Sequence, residues 1–328
     1  MKAQLCKAYG GPDDLAFEDI AEPVPAKGQV RIAIHAAGVN FPDSLIIAGT
    51  YQFKPAFPFS PGMEVAGEVV EVGEGVSQVA VGDRVMSTCG HGGYAEQVVA
   101  PESSVFRIPD SMDYVSAAGF PVTYGTTYHA LFDRGDLKAG ETLLVHGAAG
   151  GVGITAVELG RIAGARVIGT VGSDEKMAVV KDYGAEAVIN YSTESIRDRV
   201  KELTGGVGAD VIYDPVGGDA FDQSMRCINW QGRLLVVGFA SGRIAELKTN
   251  LVLLKGCQIV GVFWGSFAAR EAERNRRNFE QLLAWYEEGK LKPHISQTFA
   301  LDQAPAALKA LLGRKVTGKV VLEVRSST

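Results

Sequence analysis

The 328-residue sequence has few cysteines and no long hydrophobic run. Its four cysteines, Cys6, Cys89, Cys227 and Cys257, form no Cys-x-x-Cys pair, which excludes an evident disulfide framework and is typical of a reducing cytosol. No apolar stretch reaches the roughly 20 residues of a membrane helix, and the N-terminal residues lack the apolar region of a signal peptide. We therefore expect a cytoplasmic protein that does not cross a membrane.

Clustered positive charge is also missing. The net charge is −6, and the arginines between residues 270 and 277 are scattered, so the sequence indicates no nucleic-acid partner. The five histidines are far apart in the chain and have no metal-ligand spacing; of these, His146 ends an apolar run and is interpreted as structural. Hydrophobic residues make up 46% of the chain, and 40 residues are glycine. This composition predicts a globular core with many turns between short elements.

One stretch of about thirty residues combines two apolar runs with a glycine-rich turn and a helical pattern. The runs are Thr142–Val145 and Arg166–Val171, the turn is Gly147–Gly151, and the apolar residues of Val152–Ile162 recur at helical spacing. This order predicts a strand, a turn, a helix and a second strand, which together form one βαβ unit.

The turn of this unit is a candidate site for a dinucleotide. It reads A-x-G-x-x-G from Ala148 to Gly153, so alanine replaces the first glycine of the dinucleotide-binding fingerprint. Small residues let the backbone approach a pyrophosphate, and the following helix offers free N–H groups and its positive dipole end. Gly150, Gly151 and Val152 are therefore predicted to contact a cofactor. The alternative is a tight turn without a ligand.

The sequence pattern divides the rest of the chain into a β-rich part and a part in which helices and strands alternate. Residues up to about 120 contain strand patterns, including Glu64–Val72, punctuated by Gly and Pro. Pro42, Pro55, Pro58 and Pro61 are interpreted as marking irregular loops in which a substrate pocket could form. From about residue 122, helices and strands alternate, which predicts a parallel sheet with helices on both faces. A last apolar run, Lys319–Val324, is predicted to be a strand that could return to the first part.

Several short motifs then carry a clear family resemblance along almost the whole chain. They are Ala37–Asp43 (AGVNFPD), Pro61–Gly67 (PGMEVAG), Val81–Val85 (VGDRV), Gly92–Glu96 (GGYAE), His146–Gly153 and Thr317–Lys319 (TGK). Together they resemble the medium-chain dehydrogenase/reductases, in the zinc-free quinone oxidoreductase, or ζ-crystallin-like, branch. The resemblance implies an α/β protein with a GroES-like β-rich catalytic domain (residues 1–122 and 264–328) and an inserted Rossmann domain (residues 123–263). It also implies a homodimer, to which the apolar run Ile259–Phe263 could contribute.

The positions that bind zinc in related enzymes carry unsuitable side chains here. Zinc-dependent relatives have Gly-His-Glu where this chain has Gly62-Met63-Glu64, and a cysteine ligand in the loop Gly38–Asp43. A thioether and an amide do not replace those ligands. The four-cysteine lobe of those relatives is also missing, so we predict no metal. Met63 is interpreted as a core filler, and Glu64 as a hydrogen-bonding group beneath the pocket.

The end of the second Rossmann strand favours NADPH over NADH. An NAD-preferring site usually ends this strand with an acid, whereas the corresponding residue here is Val171. Ser173 and Lys176 are placed to bind a 2′-phosphate, and the resemblance adds Tyr191 to that site. Asp174 and Glu175 are interpreted as acids in the first turn of the next helix, although NADPH preference would weaken if either pointed inward.

The resemblance also assigns residues to the nicotinamide and the acceptor. Asn40 is implied near the nicotinamide and Tyr51 at the pocket, both as candidate catalytic donors; the alternatives are an amide that ties down a loop and a packed aromatic residue. A second pocket tyrosine of some relatives corresponds to Leu45. The remaining implied cofactor contacts are Thr126 (alternatively a helix cap), Phe239 and Ser241, Phe263 and Trp264 (alternatively core or dimer packing), and Lys319 (alternatively a surface lysine).

These residues predict an enzyme that transfers hydride from NADPH to a small acceptor without zinc. Quinones need little activation, whereas plain ketones are difficult to reduce without a Lewis acid. The primary hypothesis is therefore an NADPH:quinone oxidoreductase. One alternative is a reductase of α,β-unsaturated carbonyl or acyl compounds. Another is an NADPH-binding sensor or structural protein with little turnover.

Overall fold

The computed structural model describes residues 1–325, which belong to two compact units. The first, here called the β-rich unit, combines residues 1–122 with residues from 271 onward. The second, here called the Rossmann unit, contains residues 123–270. The sequence predicts that the Rossmann domain ends at residue 263, whereas the compact unit continues to residue 270.

Within residues 1–325 the chain forms fifteen strands and eleven α-helices. The strands are β1 (Lys2–Leu5), β2 (Ala16–Asp19), β3 (Gln29–Val39), β4 (Glu64–Val72), β5 (Arg84–Thr88), β6 (Gln97–Pro101), β7 (Val105–Arg107), β8 (Thr142–Val145), β9 (Arg166–Val171), β10 (Ala187–Asn190), β11 (Ala209–Asp214), β12 (Ile228–Val236), β13 (Gln258–Gly261), β14 (Ile295–Ala300) and β15 (Lys319–Glu323). The helices are α1 (Phe41–Ile47), α2 (Tyr114–Ala118), α3 (Pro121–Tyr128), α4 (Gly151–Ile162), α5 (Met177–Asp182), α6 (Ile196–Leu203), α7 (Gly218–Cys227), α8 (Thr249–Lys255), α9 (Trp264–Arg270), α10 (Ala272–Glu287) and α11 (Ala304–Leu312).

The β-rich unit is built around the long strand β3. Its main sheet has the order β14-β15-β3-β4-β5-β7, and β6 also pairs with β3. Val30, Ile32 and Ile34 alternate along β3 with their side chains fully buried, as expected for a strand with one face on a core. β15 pairs antiparallel with β3, Val320 lying opposite Val39. The predicted return of the C-terminal strand to the first part of the chain is therefore confirmed.

The Rossmann unit has a six-stranded parallel sheet. Its order is β10-β9-β8-β11-β12-β13, and every neighbouring pair is parallel. Counted along this sheet, the six strands have the order 3-2-1-4-5-6, which is the doubly wound arrangement that binds dinucleotides where the strand order reverses. That reversal falls at β8, between β9 and β11. The predicted combination of a GroES-like domain and a Rossmann domain is confirmed.

Local differences from the sequence-based expectations have simple causes. Pro42 lies in the first turn of α1 rather than in a loop, because proline tolerates this position without losing a helical hydrogen bond. Thr126 lies inside α3, so its interpretation as a helix cap is wrong. Glu175 lies in a short 3₁₀ turn, and the α-helix begins only at Met177. Among the described residues, no helix is both long and apolar enough to cross a membrane.

Candidate functional site

The glycine-rich turn of the Rossmann unit has the geometry of a phosphate-binding turn. Gly147 adopts a φ of +57°, a left-handed conformation that glycine takes without strain. The buried Ala148 donates its N–H to the carbonyl of Thr170 at 2.9 Å. The sharp turn therefore depends on Gly147, which explains why alanine is tolerated where the fingerprint has its first glycine.

The helix that follows this turn presents free backbone donors. The N–H of Ile154 donates to the carbonyl of Gly150 at 2.8 Å, so the N–H groups of Gly151, Val152 and Gly153 have no acceptor within α4. A Cβ on Gly153 would lie 2.1 Å from the carbonyl oxygen of Gly147, and only glycine permits this approach. The turn and the N-terminus of α4 fit the pyrophosphate of a dinucleotide.

The residues predicted to bind a 2′-phosphate lie at the carboxyl end of β9. Val171 ends this strand without a carboxylate, and Tyr191 donates its backbone N–H to the carbonyl of Val171 at 3.0 Å. The Tyr191 hydroxyl lies 2.7 Å from the position of a Cβ on Gly172, so its phenol covers the residue before Ser173. Lys176 donates its backbone N–H to the carbonyl of Ser173 at 3.2 Å. Ser173, Lys176 and Tyr191 are thus gathered at one strand end.

The two acids next to this cluster are not buried against it. Asp174 and Glu175 are both exposed. The carboxylate of Asp174 accepts a hydrogen bond from the side-chain amide of the buried Asn190 at 2.8 Å. Asp174 therefore has a structural role at the ends of β9 and β10.

A second loop follows β11, next to the point where the strand order reverses. The Asp214 carboxylate accepts hydrogen bonds from the N–H groups of Val216, at 2.9 Å, and Gly217, at 2.8 Å. Gly217 has a φ of +68°, and its missing Cβ would lie 3.2 Å from the ring of Phe239. Sequence reasoning missed Asp214, although an acid at a strand end before Pro and two glycines is a recognisable turn signal.

Phe239 also lines an apolar cavity of about 220 Å³ in the Rossmann unit, together with Asp214, Gly217 and Leu247 among others. The exposed Ser241 lies close to α7, because a Cβ on Gly218 would be 2.8 Å from its hydroxyl. Phe239 and Ser241 thus lie at the carboxyl end of the sheet, where α/β proteins bind ligands.

The other predicted cofactor contacts of this unit differ in exposure. Thr126 is half-buried. Phe263 is 60% exposed, whereas Trp264 is only 8% exposed. Phe263 is therefore available to a ligand, while Trp264 serves packing to a large extent.

His146 is fully buried and contacts Thr170 and Ser224 through its two ring nitrogens, which agrees with its structural interpretation.

In the β-rich unit, Asn40, Glu64 and Lys319 form a buried hydrogen-bonded cluster, here called the Lys319 network. The ammonium of Lys319 donates to Glu64 Oε1 at 2.7 Å, to Asn40 Oδ1 at 2.8 Å and to the carbonyl of Val39 at 2.9 Å. Asn40 Nδ2 donates to the same Glu64 Oε1 at 2.8 Å, and the N–H of Val122 donates to Glu64 Oε2 at 2.7 Å. The interpretation of Lys319 as a surface residue is therefore wrong, since its side chain is 7% exposed. Glu64 is a buried hydrogen-bonding group, as expected.

Asn40 is held on both sides of its amide by this network. Its oxygen accepts from Lys319 and its nitrogen donates to Glu64. This geometry favours the interpretation of Asn40 as an amide that fixes the start of α1.

A second buried acid, Asp43, lies in the first turn of α1 and was missed as a site residue. Its Oδ2 accepts hydrogen bonds from the N–H of Asn40 at 2.8 Å and from the hydroxyl of Tyr94 at 2.9 Å. Burial, with a smaller contribution from the charge of Glu64, raises the pKa of Asp43 to about 7. The hydrogen bonds from Asn40 and Tyr94 and the charge of Lys319 act in the opposite direction. The sequence signal was present, because Asp43 belongs to one family motif and Tyr94 to another.

Tyr51 follows α1 and lies against the same region. Its N–H donates to the carbonyl of Leu45 at 3.2 Å, and its half-buried ring packs on the core of the β-rich unit. Burial, together with the charge of Asp43, raises the pKa of the Tyr51 hydroxyl. Tyr51 is thus a partly accessible hydroxyl that is electrostatically coupled to a buried carboxyl.

This set of side chains does not fit a zinc ion. Asn40 offers an amide oxygen that already accepts from an ammonium, and Met63 offers a thioether packed against the core. Any cation at Glu64 would face the positive charge of Lys319. Within residues 1–325, no group of three or more His, Cys, Asp or Glu side chains is arranged to hold a metal.

A GroES-like β-rich unit and a Rossmann unit with a glycine-rich turn define the class of medium-chain dehydrogenase/reductases. Comparison with known families agrees with this class. Residues 26–110 match the alcohol dehydrogenase GroES-like domain, and residues 151–288 match the zinc-binding dehydrogenase family.

Individual relatives narrow this assignment. The chain is 43% identical over 328 residues to a quinone oxidoreductase-like protein 2 homologue of Nematostella vectensis, covering 99% of this chain and 89% of that one. It is 35% identical over 325 residues to human quinone oxidoreductase, covering 98% and 97%. The structure of Escherichia coli quinone oxidoreductase complexed with NADPH superimposes with a TM-score of 0.92 at 29% identity, covering 99% of this chain and 100% of that one. The chain therefore belongs to the zinc-free, quinone oxidoreductase-like branch of the medium-chain dehydrogenase/reductases, and it is an oxidoreductase.

Proposed function

We propose that this protein is an NADPH-dependent reductase that transfers hydride to quinones without a metal. The observation that carries this proposal is the cluster of Ser173, Lys176 and Tyr191 at a strand end that has no carboxylate. A lysine and two hydroxyls suit a 2′-phosphate, and an acid that would repel it is missing from the end of the strand. The NADPH complex of the Escherichia coli relative supports the same cofactor.

The preference for quinones follows from the chemistry of the β-rich unit. Plain ketones need a Lewis acid to stabilise the developing oxyanion, and the Lys319 network does not provide ligands for one. Quinones are already electrophilic, so they need a positioned cofactor and a hydrogen-bond donor. The relatives named quinone oxidoreductase support this acceptor class.

Each group of residues has a separate role in this proposal. The turn from Gly150 to Val152 binds the pyrophosphate. The ribose and nicotinamide are contacted by Thr126, Phe239, Ser241 and Phe263. When bound, NADPH supplies hydride. In the β-rich unit, Tyr51 donates a hydrogen bond to the acceptor, and the Lys319 network keeps Asn40 in position at the nicotinamide end. Leu45 makes the pocket more apolar than one with two tyrosines.

The decisive experiment is a steady-state assay of NADPH oxidation by the purified protein. Benzoquinone, phenanthrenequinone, an enone and an acryloyl thioester are offered side by side, with NADH as the control cofactor. We expect the highest kcat/KM with NADPH and a quinone. Preference for the enone or the thioester would replace the quinone proposal by a reductase of activated alkenes. Tight NADPH binding without turnover would favour the sensor.

We further propose a cytoplasmic homodimer. The four cysteines are free, as suits a reducing compartment. β13 forms an edge of the six-stranded sheet, and an unpaired edge can pair with the same strand of a second copy. Light scattering should give twice the 34.8 kDa of one chain, and a Val260→Lys variant should favour the monomer. A monomeric unaltered protein at micromolar concentration would contradict this proposal.

A further inference from the structure

His146 is a buried histidine that joins two elements of the Rossmann unit through its ring. It follows β8 directly and is 0% exposed. Its Nδ1 lies 3.1 Å from the hydroxyl of Thr170 on β9, and its Nε2 lies 2.6 Å from the hydroxyl of Ser224 on α7. Both partners are buried as well. The ring therefore connects a strand and a helix at the end of β8, where the glycine-rich turn begins.

The hydroxyl of Ser224 decides which ring nitrogen carries a hydrogen. It lies 2.7 Å from the carbonyl oxygen of Ala220, and a carbonyl only accepts, so the single hydroxyl hydrogen of Ser224 is used there. In the contact between Ser224 and Nε2, the ring N–H is therefore the donor. Burial lowers the pKa of His146, which favours the neutral ring, and a neutral ring carries a hydrogen on one nitrogen only. Nδ1 is thus the acceptor, and the Thr170 hydroxyl donates to it.

Thr170 is bonded to the glycine-rich turn at two points. Its hydroxyl bonds to the ring of His146, and its carbonyl accepts the N–H of Ala148 at 2.9 Å. These two residues lie on either side of Gly147, whose φ of +57° makes the turn. The turn also packs closely on β9, because a Cβ on Gly169 would lie 3.0 Å from the Cβ of Ala148. A side-chain bond on one side of Gly147 and a backbone bond on the other therefore fix the turn against β9.

The turn and the end of β9 serve different parts of the cofactor. The turn and the start of α4 fit the pyrophosphate, whereas the cluster of Ser173, Lys176 and Tyr191 lies just beyond Thr170, at the carboxyl end of β9. A dinucleotide that contacts both requires a fixed separation between them, since ordering loosely held groups costs binding free energy. NADH has no 2′-phosphate and uses only the turn. A shift of the turn against β9 therefore weakens the binding of NADPH more than that of NADH.

We propose that His146 is a positioning residue for NADPH, whose ring holds Thr170 and thereby sets the separation between the pyrophosphate turn and the 2′-phosphate cluster. This inference rests on the proposed function, which assigns Ser173, Lys176 and Tyr191 to the 2′-phosphate. His146 is fully buried, so it acts on the cofactor through the bond to Thr170. The bond to Ser224 orients the ring.

Thr170→Val and Ser224→Ala form a matched pair of variants, because each removes one buried hydroxyl that bonds to the same ring. The dissociation constants of NADPH and NADH are measured from the change in cofactor fluorescence on binding, with unfolding curves to show that both variants fold. Thr170→Val should raise the Kd of NADPH about tenfold and that of NADH much less. Ser224→Ala should leave the ratio of the two constants unchanged, because the contact between Thr170 and Nδ1 remains.

Nitrogen NMR of protein labelled in its histidines tests the bonding pattern separately. Comparison with the His146→Gln variant assigns the His146 signals among the five histidines. We expect a neutral ring with a hydrogen on Nε2 and none on Nδ1. This measurement requires neither cofactor nor acceptor.

Several results would overturn the inference. Equal rises of both dissociation constants in Thr170→Val would make His146 a purely structural residue. A charged ring, or one whose Nδ1 carries the hydrogen, would contradict the bonds on which the inference depends. If the unaltered protein binds NADPH no more tightly than NADH, the 2′-phosphate cluster fails and the positioning role fails with it. Failure to reduce any quinone is a separate result, which would refute the proposed acceptor while the binding measurements still decide the role of His146.

Discussion

Replacement of Lys319 by methionine would remove the only cation that the Lys319 network contains. The methionine side chain has a similar length and is apolar, so the change deletes charge and three donor contacts with little change in volume. Those contacts are to Glu64, Asn40 and the Val39 carbonyl, at 2.7 to 2.9 Å. Glu64, which is 0% exposed, would be left as a buried carboxylate without a cation.

The expected cost follows from this burial. Removal of one partner of a buried ion pair costs roughly 3–5 kcal/mol. Glu64 keeps hydrogen bonds from Asn40 and from the N–H of Val122, so we expect the lower end, about 3 kcal/mol. For a unit of this size that corresponds to a fall in Tm of about 10 °C. The double variant Lys319→Met with Glu64→Gln should regain part of this loss, because it leaves no buried charge unpaired.

The assay is urea and thermal unfolding of both variants, with hydrogen exchange at the Val122 amide as a local measure. Lys7→Met is the matched control, because Lys7 and Glu18 form a pair of 2.6 Å whose side chains are 53% and 44% exposed. An exposed pair contributes at most about 1 kcal/mol. Equal losses in Lys319→Met and Lys7→Met would refute the reasoning. The single variant Glu64→Gln completes the cycle. A double variant whose loss equals the sum of the Lys319→Met and Glu64→Gln losses would also refute the reasoning, since independent sites add and coupled ones do not.

Three other predictions concern single residues. Lys176→Ala should raise the KM for NADPH much more than the KM for NADH in steady-state assays, and equal effects would remove Lys176 from the phosphate site. Burial raises the pKa of Asp43 to about 7, so between about pH 4 and pH 7 the folded protein holds a proton that the unfolded chain has released. The free energy of unfolding therefore falls as the pH rises toward neutrality, and it levels off above that. Asp43→Asn should remove this fall, which amounts to about 3 kcal/mol between about pH 5 and about pH 8; urea unfolding at both pH values measures it, and parallel curves for the two proteins would contradict it. Gly38→Ala should destabilise the protein by about 1–3 kcal/mol, because the new Cβ would lie 2.3 Å from Glu64 Oε1 and 2.5 Å from the carbonyl of Ala118; unchanged thermal unfolding would show that the loop relaxes freely.

Much of the fold could be predicted because its signals are local. The bounds of β4 coincide with the apolar alternation of Glu64–Val72. The run of small residues from Gly147 to Gly151 predicted a turn, and it connects β8 to α4. Element ends were less accurate. α4 begins at Gly151 rather than at Val152, because the helix starts within the glycine-rich turn, where residue propensities do not mark the boundary.

The charged site could be predicted only in part, because its contacts join distant parts of the chain. Lys319 and Glu64 are 255 residues apart, so no pattern of spacing relates them, and a lysine at a strand start resembles an exposed one. Asp43 posed the same problem, since an acid in the first turn of a helix is usually explained by the dipole. Its burial becomes evident only when the Tyr94 hydroxyl, 51 residues further along, bonds to it.

The backbone around Lys319 explains why two separate motifs occur in one chain. Gly318 has a φ of +58°, and a Cβ there would lie 2.3 Å from the carbonyl oxygen of His294. The N–H of Lys319 donates to that same carbonyl at 2.8 Å. Glycine is thus required for the chain to turn tightly into β15 and direct the lysine side chain inward. The Thr-Gly-Lys motif supplies the cation and the Gly-Met-Glu motif supplies the anion, so a chain that kept only one of them would bury an unpaired charge.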